Sequence, residues 1–266
     1  MNSNSRNSPF EKYEKLKHAL RSYGEVAVAF SGGIDSSLLL FAAGEALGQD
    51  KVTALHGRSV LNIYETEIEE FFDNYFNCSA KLKVIDLHPL NWTDFVNNDA
   101  RRCYYCKRKT YSVFKREHAN NDVVLIDGTN QDDLKESRAG LAVLKELGVK
   151  TPLADVGLNK KEIRFLARSF GLPNHNTPSN SCLATRLHST VQIRATSLNI
   201  VAAIEKKLHQ LGFMGCRVRP QDEIVTIELR EQDILHFSRK HNRMEIVQFC
   251  SNNGFKKVLL DVNGRK

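Results

Sequence analysis

Glu25-Val-Ala-Val-Ala-Phe30, then Ser31-Gly-Gly-Ile-Asp-Ser-Ser37, then Leu38-Leu39-Leu40-Phe41-Ala42-Ala43 is the stretch that decides the fold. An alternating apolar segment reads as a strand, two glycines among small hydroxyl residues as a tight loop, and the apolar run as the helix that follows. Such a loop binds anions. Glycine lets the backbone approach a ligand, successive N–H groups point inward, and the positive end of the helix dipole lies behind them. Phosphate is the natural guest. No lysine follows the glycines at the Walker A spacing, and the pattern G-x-G-x-x-G is absent. The plain alternative is a βα turn with Asp35 as a cap-like residue. Three serines and an acid exceed what a bare turn needs.

Outward from this stretch the alternation continues. Phe10, Tyr13, Leu16 and Leu20 fall at helical spacing over residues 9–23, with Gly24 as a stop. Lys51–His56 reads as a second strand ending at Gly57-Arg58-Ser59, a helix follows over Tyr64–Asn77, and Lys81–Leu87 is a third strand. The order strand, helix, strand, helix, strand predicts an α/β fold with a doubly wound parallel sheet, whose ligands sit at the carboxyl ends of the strands. Arg58 and Ser59 occupy such an end. Asn91–Ala100 is polar and irregular and leads into Arg101-Arg-Cys-Tyr-Tyr-Cys-Lys107, followed by a helix over Arg108–Glu117 and a strand, Val123–Asp127. That strand runs into Gly128-Thr-Asn-Gln-Asp-Asp133. Two readings of these polar residues stand side by side: contacts to ribose, phosphate or Mg²⁺, or an Asx-type turn capping the next helix.

Helices are expected over Leu134–Leu147 and Lys160–Phe170, before a loop-like stretch, Asn174–Thr190, that contains Cys182-Leu-Ala-Thr-Arg186. Beyond it the pattern changes to a smaller α+β unit. A helix over Ala195–Leu211, strands Cys216–Arg219 and Ile224–Leu229, helices over Glu231–Lys240 and Arg243–Cys250, and a strand Phe255–Val262 make it up. Two domains are expected, residues 1–180 and 191–266.

The chain has 266 residues, 41% hydrophobic and 26% charged, which fits a globular protein and disfavours disordered and membrane classes. No transmembrane run and no apolar signal core at Met1-Asn-Ser-Asn-Ser-Arg6 leads to the expectation of a cytoplasmic protein. A net charge of +7 suggests an anionic partner, for which nucleotides alone suffice. Six cysteines in such a compartment argue for metal or catalytic use.

Cys103-x-x-Cys106 holds two thiols within reach of one metal centre, and Arg101, Arg102 and Lys107 beside them favour thiolates. Cys182 adds a third from a polar loop. Three thiolates on a four-iron cluster leave one iron open for a sulfide or substrate; zinc with His175 or His188 as fourth ligand, a redox C-x-x-C, and thiols that hold no metal are alternatives. Cys78, Cys216 and Cys250 each sit singly in periodic segments and read as packing residues. Arg186, Arg217 and Arg219 form a candidate phosphate group, since the last two project to one side of a strand, the plain alternative being the solvent face of that strand. Glu205, grouped with them, has an ordinary exposed acid as its plain reading.

Ser31-Gly-Gly-Ile-Asp-Ser36 resembles the PP-loop of the ATP pyrophosphatases. Together with Arg102-Cys-Tyr-Tyr-Cys-Lys107, Gly128-Thr-Asn-Gln-Asp-Asp133, Lys161-Glu-Ile-Arg164, Cys182-Leu-Ala-Thr-Arg186 and Arg217-Val-Arg219, it makes the chain similar to the LarE family of ATP-dependent sulfur transferases. The resemblance implies a Rossmann-like, adenine-nucleotide α-hydrolase fold, ATP and Mg²⁺, and adenylation of a carboxylated pyridinium mononucleotide made into a thiocarboxylate. It also implies a sulfur supplied by a three-cysteine [4Fe-4S] cluster on Cys103, Cys106 and Cys182, or by Cys182 itself. On this resemblance ATP is held by Ser31, Gly32, Gly33, Asp35, Ser36, Ser37, Arg58, Ser59, Gly128, Thr129, Asn130 and Asp132. Cys182, Asp35 and Ser36 are then the catalytic group, and Arg186, Arg217, Arg219 and Glu205 the substrate-phosphate group. The chain departs from the family pattern at Leu187-His-Ser-Thr190 and Arg138-Ala139-Gly140. The expected partner is a small nucleotide, with no nucleic acid and no membrane, in a homo-oligomer. The rival readings are a PP-loop tRNA thiolase, an ammonia-dependent ligase of the NAD-synthetase type, and a non-enzymatic cluster sensor.

Overall fold

The computed structural model describes residues 8–63, 67–118, 122–136, 138–178, 181–189 and 191–265. The chain divides into two compact units. The first comprises Met1–Arg58, Tyr64–Leu87 and Cys103–Thr177, and the second Ser59–Ile63, His88–Arg102 and Pro178–Lys266. Two segments of the second unit, 59–63 and 88–102, therefore come from within the span 1–180.

In the first unit, β1 (Glu25–Ala29), β2 (Val52–Arg58), β3 (Lys81–Asp86) and β4 (Val123–Asp127) form a parallel sheet in the order β3-β2-β1-β4. β1 lies inside because Val26, Ala27 and Val28 are apolar on both faces and all buried, as parallel sheets require. The chain steps outward from β1 to β3 and returns to the far side of β1 for β4. The order of the sheet thus reverses between β1 and β4, and a crevice opens at the carboxyl ends of such a pair. Those ends are Ala29 and Asp127, opposite each other in register. A single parallel bridge, Ile126 to Lys150, extends the sheet beyond β4.

Helices α1 (Pro9–Tyr23), α2 (Ile34–Leu47) and α3 (Ile68–Tyr75) precede β4 in this unit, and the four-residue α4 (Thr93–Val96) belongs to the second. α5 (Arg102–Glu117), α6 (Asp133–Glu136), α7 (Arg138–Glu146), α8 (Pro152–Asp155) and α9 (Lys160–Ser169) complete the first. α2 is apolar all round and is the buried helix of the unit, with Leu38, Leu39, Leu40, Ala42 and Ala43 out of water. Each of those leucines contributes about 1.5–3 kcal/mol by burial, and Leu39→Ala would cost about 2–5 kcal/mol. α1 and α9 cover α2. Ser8 with Glu11, and Asn159 with Glu162, form capping boxes that fix where these helices begin. Phe170 joins them to α2, its ring lying 4.6 Å from Tyr13 and 5.3 Å from Phe41.

Several expected boundaries move. α5 starts at Arg102 instead of Arg108, so Cys103 and Cys106 are helical and not in a loop. The helix expected over Leu134–Leu147 comes as α6 and α7, with residue 137 outside the described residues. Of the helix expected over Tyr64–Asn77, residues 64–66 also lie outside them. Asn91–Ala100, read as irregular, holds α4, and Asn98 beyond its end takes a left-handed conformation (φ 57°) that does not continue the helix. The loop-like stretch 174–190 contains 3-10 turns Pro173–Asn176 and Leu183–Arg186, with 179, 180 and 190 outside the described residues.

The second unit holds β5 (Arg217–Gln221), β6 (Ile224–Arg230) and β7 (Lys257–Arg265), with β5 antiparallel and β7 parallel to the central β6. α10 (Ala195–Gln210) buries Leu198, Val201, Ile204 and Leu208 at helical spacing, while α11 (Glu231–Phe237) and α12 (Lys240–Asn252) bridge β6 to β7. Buried Asn98 ties the 88–102 segment in, its Nδ2 donating to the carbonyls of His188 (2.8 Å) and Val191 (2.6 Å). No helix among the described residues is long and apolar enough to cross a membrane.

Candidate active site

The loop between β1 and α2 is shaped by its own hydroxyls. Ser36 Oγ donates to the Gly33 carbonyl (2.9 Å), accepts from the Ser31 N–H (3.3 Å) and lies 3.2 Å from Ser31 Oγ, which accepts from the Gly33 N–H (3.3 Å). Gly32 has φ 73°, a left-handed conformation that favours glycine, and a Cβ there would also displace the Ile68 side chain. α2 is capped by Gly33, which offers no side chain, so its first-turn amides face the crevice without a cap. Asn174, 8% exposed, braces the loop from behind by donating through Nδ2 to the Gly32 carbonyl and to Ser37 Oγ, both at 2.9 Å. Ser37 is wholly buried, part of the frame of the loop.

Asp35, in the first turn of α2, meets groups from distant positions. Lys160 Nζ is hydrogen-bonded to Asp35 Oδ2, and Asn130 Nδ2 donates to Oδ1 at 3.3 Å. The Lys160 N–H donates to Asp132 Oδ2 (3.0 Å), and Asn130 Oδ1 accepts from the Asp132 N–H (2.8 Å). The Lys160 N–H holds the Asp132 carboxyl below its usual range, with Lys135 and Lys161 adding to the effect. Asp133 moves the other way, raised chiefly by burial. Gly128 leaves room for this meeting, because a Cβ there would stand 3.0 Å from the Ser36 nitrogen. Ser31, Gly32, Gly33, Asp35, Ser36, Gly128, Asn130 and Asp132 thus line one crevice, and Thr129 hangs from the side chain of Asp127, which accepts its N–H at 2.7 Å.

Lys160 and Asn174 are the residues that sequence reasoning passed over. The signal for Lys160 was an absence: a phosphate loop without its own lysine needs a cation from elsewhere. Asn174 left none. Arg58 is committed to the acids beside it, with Nε to Asp86 Oδ1 at 2.7 Å, Nη2 to Asp86 Oδ2 at 3.2 Å and Nη1 to Glu69 at 3.3 Å. Ser59 belongs to the second unit, where its Oγ accepts from the Leu61 N–H (3.3 Å).

Cys103 and Cys106 are one turn apart on α5, on one side of the helix. Cys103 is exposed and Cys106 half-buried. Two soft thiols at this spacing, next to Arg102 and Lys107, fit an iron–sulfur or other soft-metal donor set. Cys182, half-buried in the second unit, opens the 3-10 turn Leu183–Arg186, and its carbonyl accepts from the Thr185 N–H (2.9 Å) and hydroxyl (2.7 Å). Among the described residues, no three or more His, Cys, Asp or Glu are grouped so as to hold a metal ion. Cys216 and Cys250 are buried, which pushes both thiols up, Cys250 to about 11. Cys78, read as a packing residue, is instead exposed and donates to Asn77 Oδ1.

The arginines of the second unit divide by environment. Arg186 is 2% exposed and pairs fork to fork with Glu205, Nε to Oε1 at 2.7 Å and Nη2 to Oε2 at 3.0 Å. Its Nη1 donates to the Ser181 carbonyl (3.1 Å) and Thr185 Oγ1 (3.0 Å). Glu205 is therefore not an ordinary exposed acid: it is fully buried and also accepts from the Val218 N–H (2.9 Å). Arg219 is bound to Glu228 and donates to the Thr185 carbonyl (2.8 Å). The side chain of Arg217 has no hydrogen bond or ion pair among the described residues. Burial first, then Arg265, Arg186 and Arg219 around it, pull its pKa down. A half-buried guanidinium among others of like charge has the chemistry to take an anion. The donors of Arg186, by contrast, are taken up by Glu205, Ser181 and Thr185.

The chain is 33% identical over 257 residues to the pyridinium-3,5-bisthiocarboxylic acid mononucleotide synthase of Lactiplantibacillus plantarum, covering 95% of this chain and 91% of that protein. An uncharacterized protein of Synechocystis is 30% identical over 254 residues, 95% of this chain and 94% of its own length. A part of the glutamine-hydrolyzing GMP synthase of Thermotoga maritima, 36% of that protein, is 27% identical over 182 residues, 60% of this chain. No family model matches the chain.

Proposed function

Because the chain belongs to the LarE family, that of the pyridinium-3,5-bisthiocarboxylic acid mononucleotide synthases, we propose that it is an ATP-dependent sulfur transferase acting on a carboxylated pyridinium mononucleotide. The observation that carries the reading is the meeting of Ser31–Ser36, Asp35, Asn130 and Lys160 at the β1/β4 crevice. It offers first-turn amides, hydroxyls and one ammonium to a polyphosphate while Asp35 and Asp132 stay beside it. In this reading ATP lies with its phosphates on that loop and its adenosine towards Gly128–Asn130. The committed pairing of Arg58 makes it a wall of the site more than a phosphate ligand.

The substrate carboxylate oxygen attacks the α-phosphorus, the bond to the bridging oxygen breaks, and pyrophosphate leaves with both electrons of that bond. The acyl-adenylate is then open to a sulfur nucleophile, which adds to the carbonyl carbon and expels AMP to leave the thiocarboxylate. Lys160 and the first-turn amides of α2 stabilise charge on the departing oxygens, which is the larger part of catalysis in such transfers. Asp35 and Asp132 are the carboxylates that would hold Mg²⁺, which neutralises pyrophosphate when bound. Arg217 and Arg219 would seat the phosphate of the substrate nucleotide, a contribution of position more than of chemistry.

Two sulfur sources suit the thiols. Cys103, Cys106 and Cys182 would hold a [4Fe-4S] cluster, which supplies an iron-bound sulfur when present; alternatively the Cys182 thiolate displaces AMP to form a thioester, loss of the Cys182 α-proton to a base breaks the Cβ–Sγ bond, and the sulfur leaves with the thiocarboxylate while Cys182 becomes dehydroalanine. The acceptor in this proposal is a small nucleotide and not tRNA, and the protein works as a cytoplasmic homo-oligomer.

The deciding experiment is anaerobic purification with iron and sulfide analysis, followed by ATP-dependent thiolation of pyridinium-3,5-biscarboxylic acid mononucleotide read by mass spectrometry. Thiocarboxylate formation with stoichiometric AMP is expected. AMP release without thiolation of this acceptor, together with thiolation of tRNA, would overturn the choice of substrate. Loss of one sulfur from Cys182 per turnover would select the sacrificial route over the cluster.

A further inference from the structure

The carboxylate of Asp127 ends β4 and is shared between two elements. Oδ1 accepts the Thr129 N–H at 2.7 Å and also the Thr129 hydroxyl. Oδ2 accepts the hydroxyl of Tyr111, from the middle of α5, and lies 3.7 Å from Lys107 Nζ. Lys107 also stands 5.3 Å from the centroid of the Tyr111 ring. An Asx-type turn accounts for the two bonds to Thr129. It does not account for Tyr111, a phenol only 7% exposed whose hydroxyl is aimed at the remaining oxygen.

What each oxygen holds gives the arrangement its meaning. Thr129 lies between Gly128, which packs against the Ser36 nitrogen, and Asn130, which donates to Asp35. A nucleotide seated on the loop after β1 therefore presses on the segment that Oδ1 supports. Lys107 and Tyr111 lie one and two turns along α5 from Cys103, and Lys107 adjoins Cys106. α5 is a continuous helix over this span, so a shift at Tyr111 and Lys107 is carried to the first-turn thiols as a rigid displacement.

We propose that Asp127 is a positioning residue that couples nucleotide occupancy of the loop to the setting of the Cys103–Cys106 turn, so that the two thiols answer to bound ATP. The coupling rests on the ATP-site reading above. It gives the reaction an order: the sulfur-handling turn changes its reactivity only once the activating nucleotide is in place.

The test is alkylation of the full chain under anaerobic, reducing conditions after chelation of bound metal, with iodoacetamide at Cys103 and Cys106 read separately by peptide mass spectrometry. Rates are measured with and without a non-hydrolysable ATP analogue, whose binding is followed in parallel by calorimetry. In the wild-type chain the analogue is expected to change the rate at one or both thiols roughly fivefold, the scale of one hydrogen bond. In Tyr111→Phe, which removes a single hydroxyl, binding is expected to persist while the change shrinks below about twofold. Asp127→Asn serves as the second variant and should shrink it likewise. An undiminished change in Tyr111→Phe overturns the coupling, as does binding with no change in the wild type. Failure of the analogue to bind overturns the ATP-site reading, and the coupling with it.

Discussion

Arg186 and Glu205 are joined fork to fork inside the second unit, at 2.7 and 3.0 Å, with almost no water contact on either side chain. The pair does more than satisfy two charges. Arg186 also holds the Ser181 carbonyl and Thr185 hydroxyl, while Glu205 holds the Val218 N–H on β5. Through it the turn that carries Cys182 is fastened to the strand that carries Arg217 and Arg219. Breaking a buried pair on one side leaves an uncompensated charge, which costs about 3–5 kcal/mol. Glu205→Gln is therefore expected to lower stability by about that amount in urea unfolding, and Arg186→Met with Glu205→Leu should recover most of it. A loss in the double variant equal to that of Glu205→Gln would contradict this account.

Lys160 is predicted to be the cation of the phosphate loop. Its removal in Lys160→Ala should weaken apparent ATP affinity about 10- to 100-fold, the range for a hydrogen bond to a charged group. The check is the concentration dependence of pyrophosphate release. Lys160→Arg should retain part of the affinity, because the charge survives while its position does not.

Gly128→Ala tests the close approach of β4 to α2. The added Cβ would stand 3.0 Å from the Ser36 nitrogen and 3.2 Å from the Asp35 carbonyl carbon, both backbone atoms that cannot swing away. Loss of ATP binding with near-ultraviolet circular dichroism unchanged is the expected outcome. An alanine variant with wild-type ATP affinity would show that this wall is not part of the site.

The thiols are predicted to separate the two halves of the reaction. On the cluster route Cys103→Ala, Cys106→Ala and Cys182→Ala should each abolish thiolation, and on the sacrificial route Cys182→Ala alone should; on either route substrate-dependent pyrophosphate release should stay within about threefold, since no thiol contacts the α-phosphorus in the proposed path. Retained thiolation in all three variants would show that the transferred sulfur does not come through these thiols.

His209 supplies a pH dependence of stability. Burial lowers its pKa below the ordinary 6.5, with Glu205 opposing and Arg186 reinforcing the shift. The folded ring thus takes up a proton at lower pH than the unfolded one. The stabilisation is complete above 6.5 and is lost as pH falls from there to the folded value. Urea midpoints measured between about pH 8 and about pH 5 should fall through that window, and His209→Gln should flatten this part of the decline.

What the sequence determined by itself was local and periodic. Alternation in Glu25–Ala29, the glycines and serines of Ser31–Ser37 and the apolar run after them were enough for strand, loop and helix, because each is governed by residues within a few positions of one another. The parallel order followed from the same alternation. The start of α5 did not, because the strongly basic run from Arg101 gives no apolar stripe to mark a helix. The tertiary structure alone decided which residues meet. Lys160 reaches Asp35 across 125 positions and Asn174 reaches Ser37 across 137. Arg186 looked like a ligand for phosphate and Glu205 like a surface acid, and their mutual burial turned both inward. The physical reason is that a charge removed from water must find its partner inside, and spacing along the chain does not say which of many candidates the fold will bring to it.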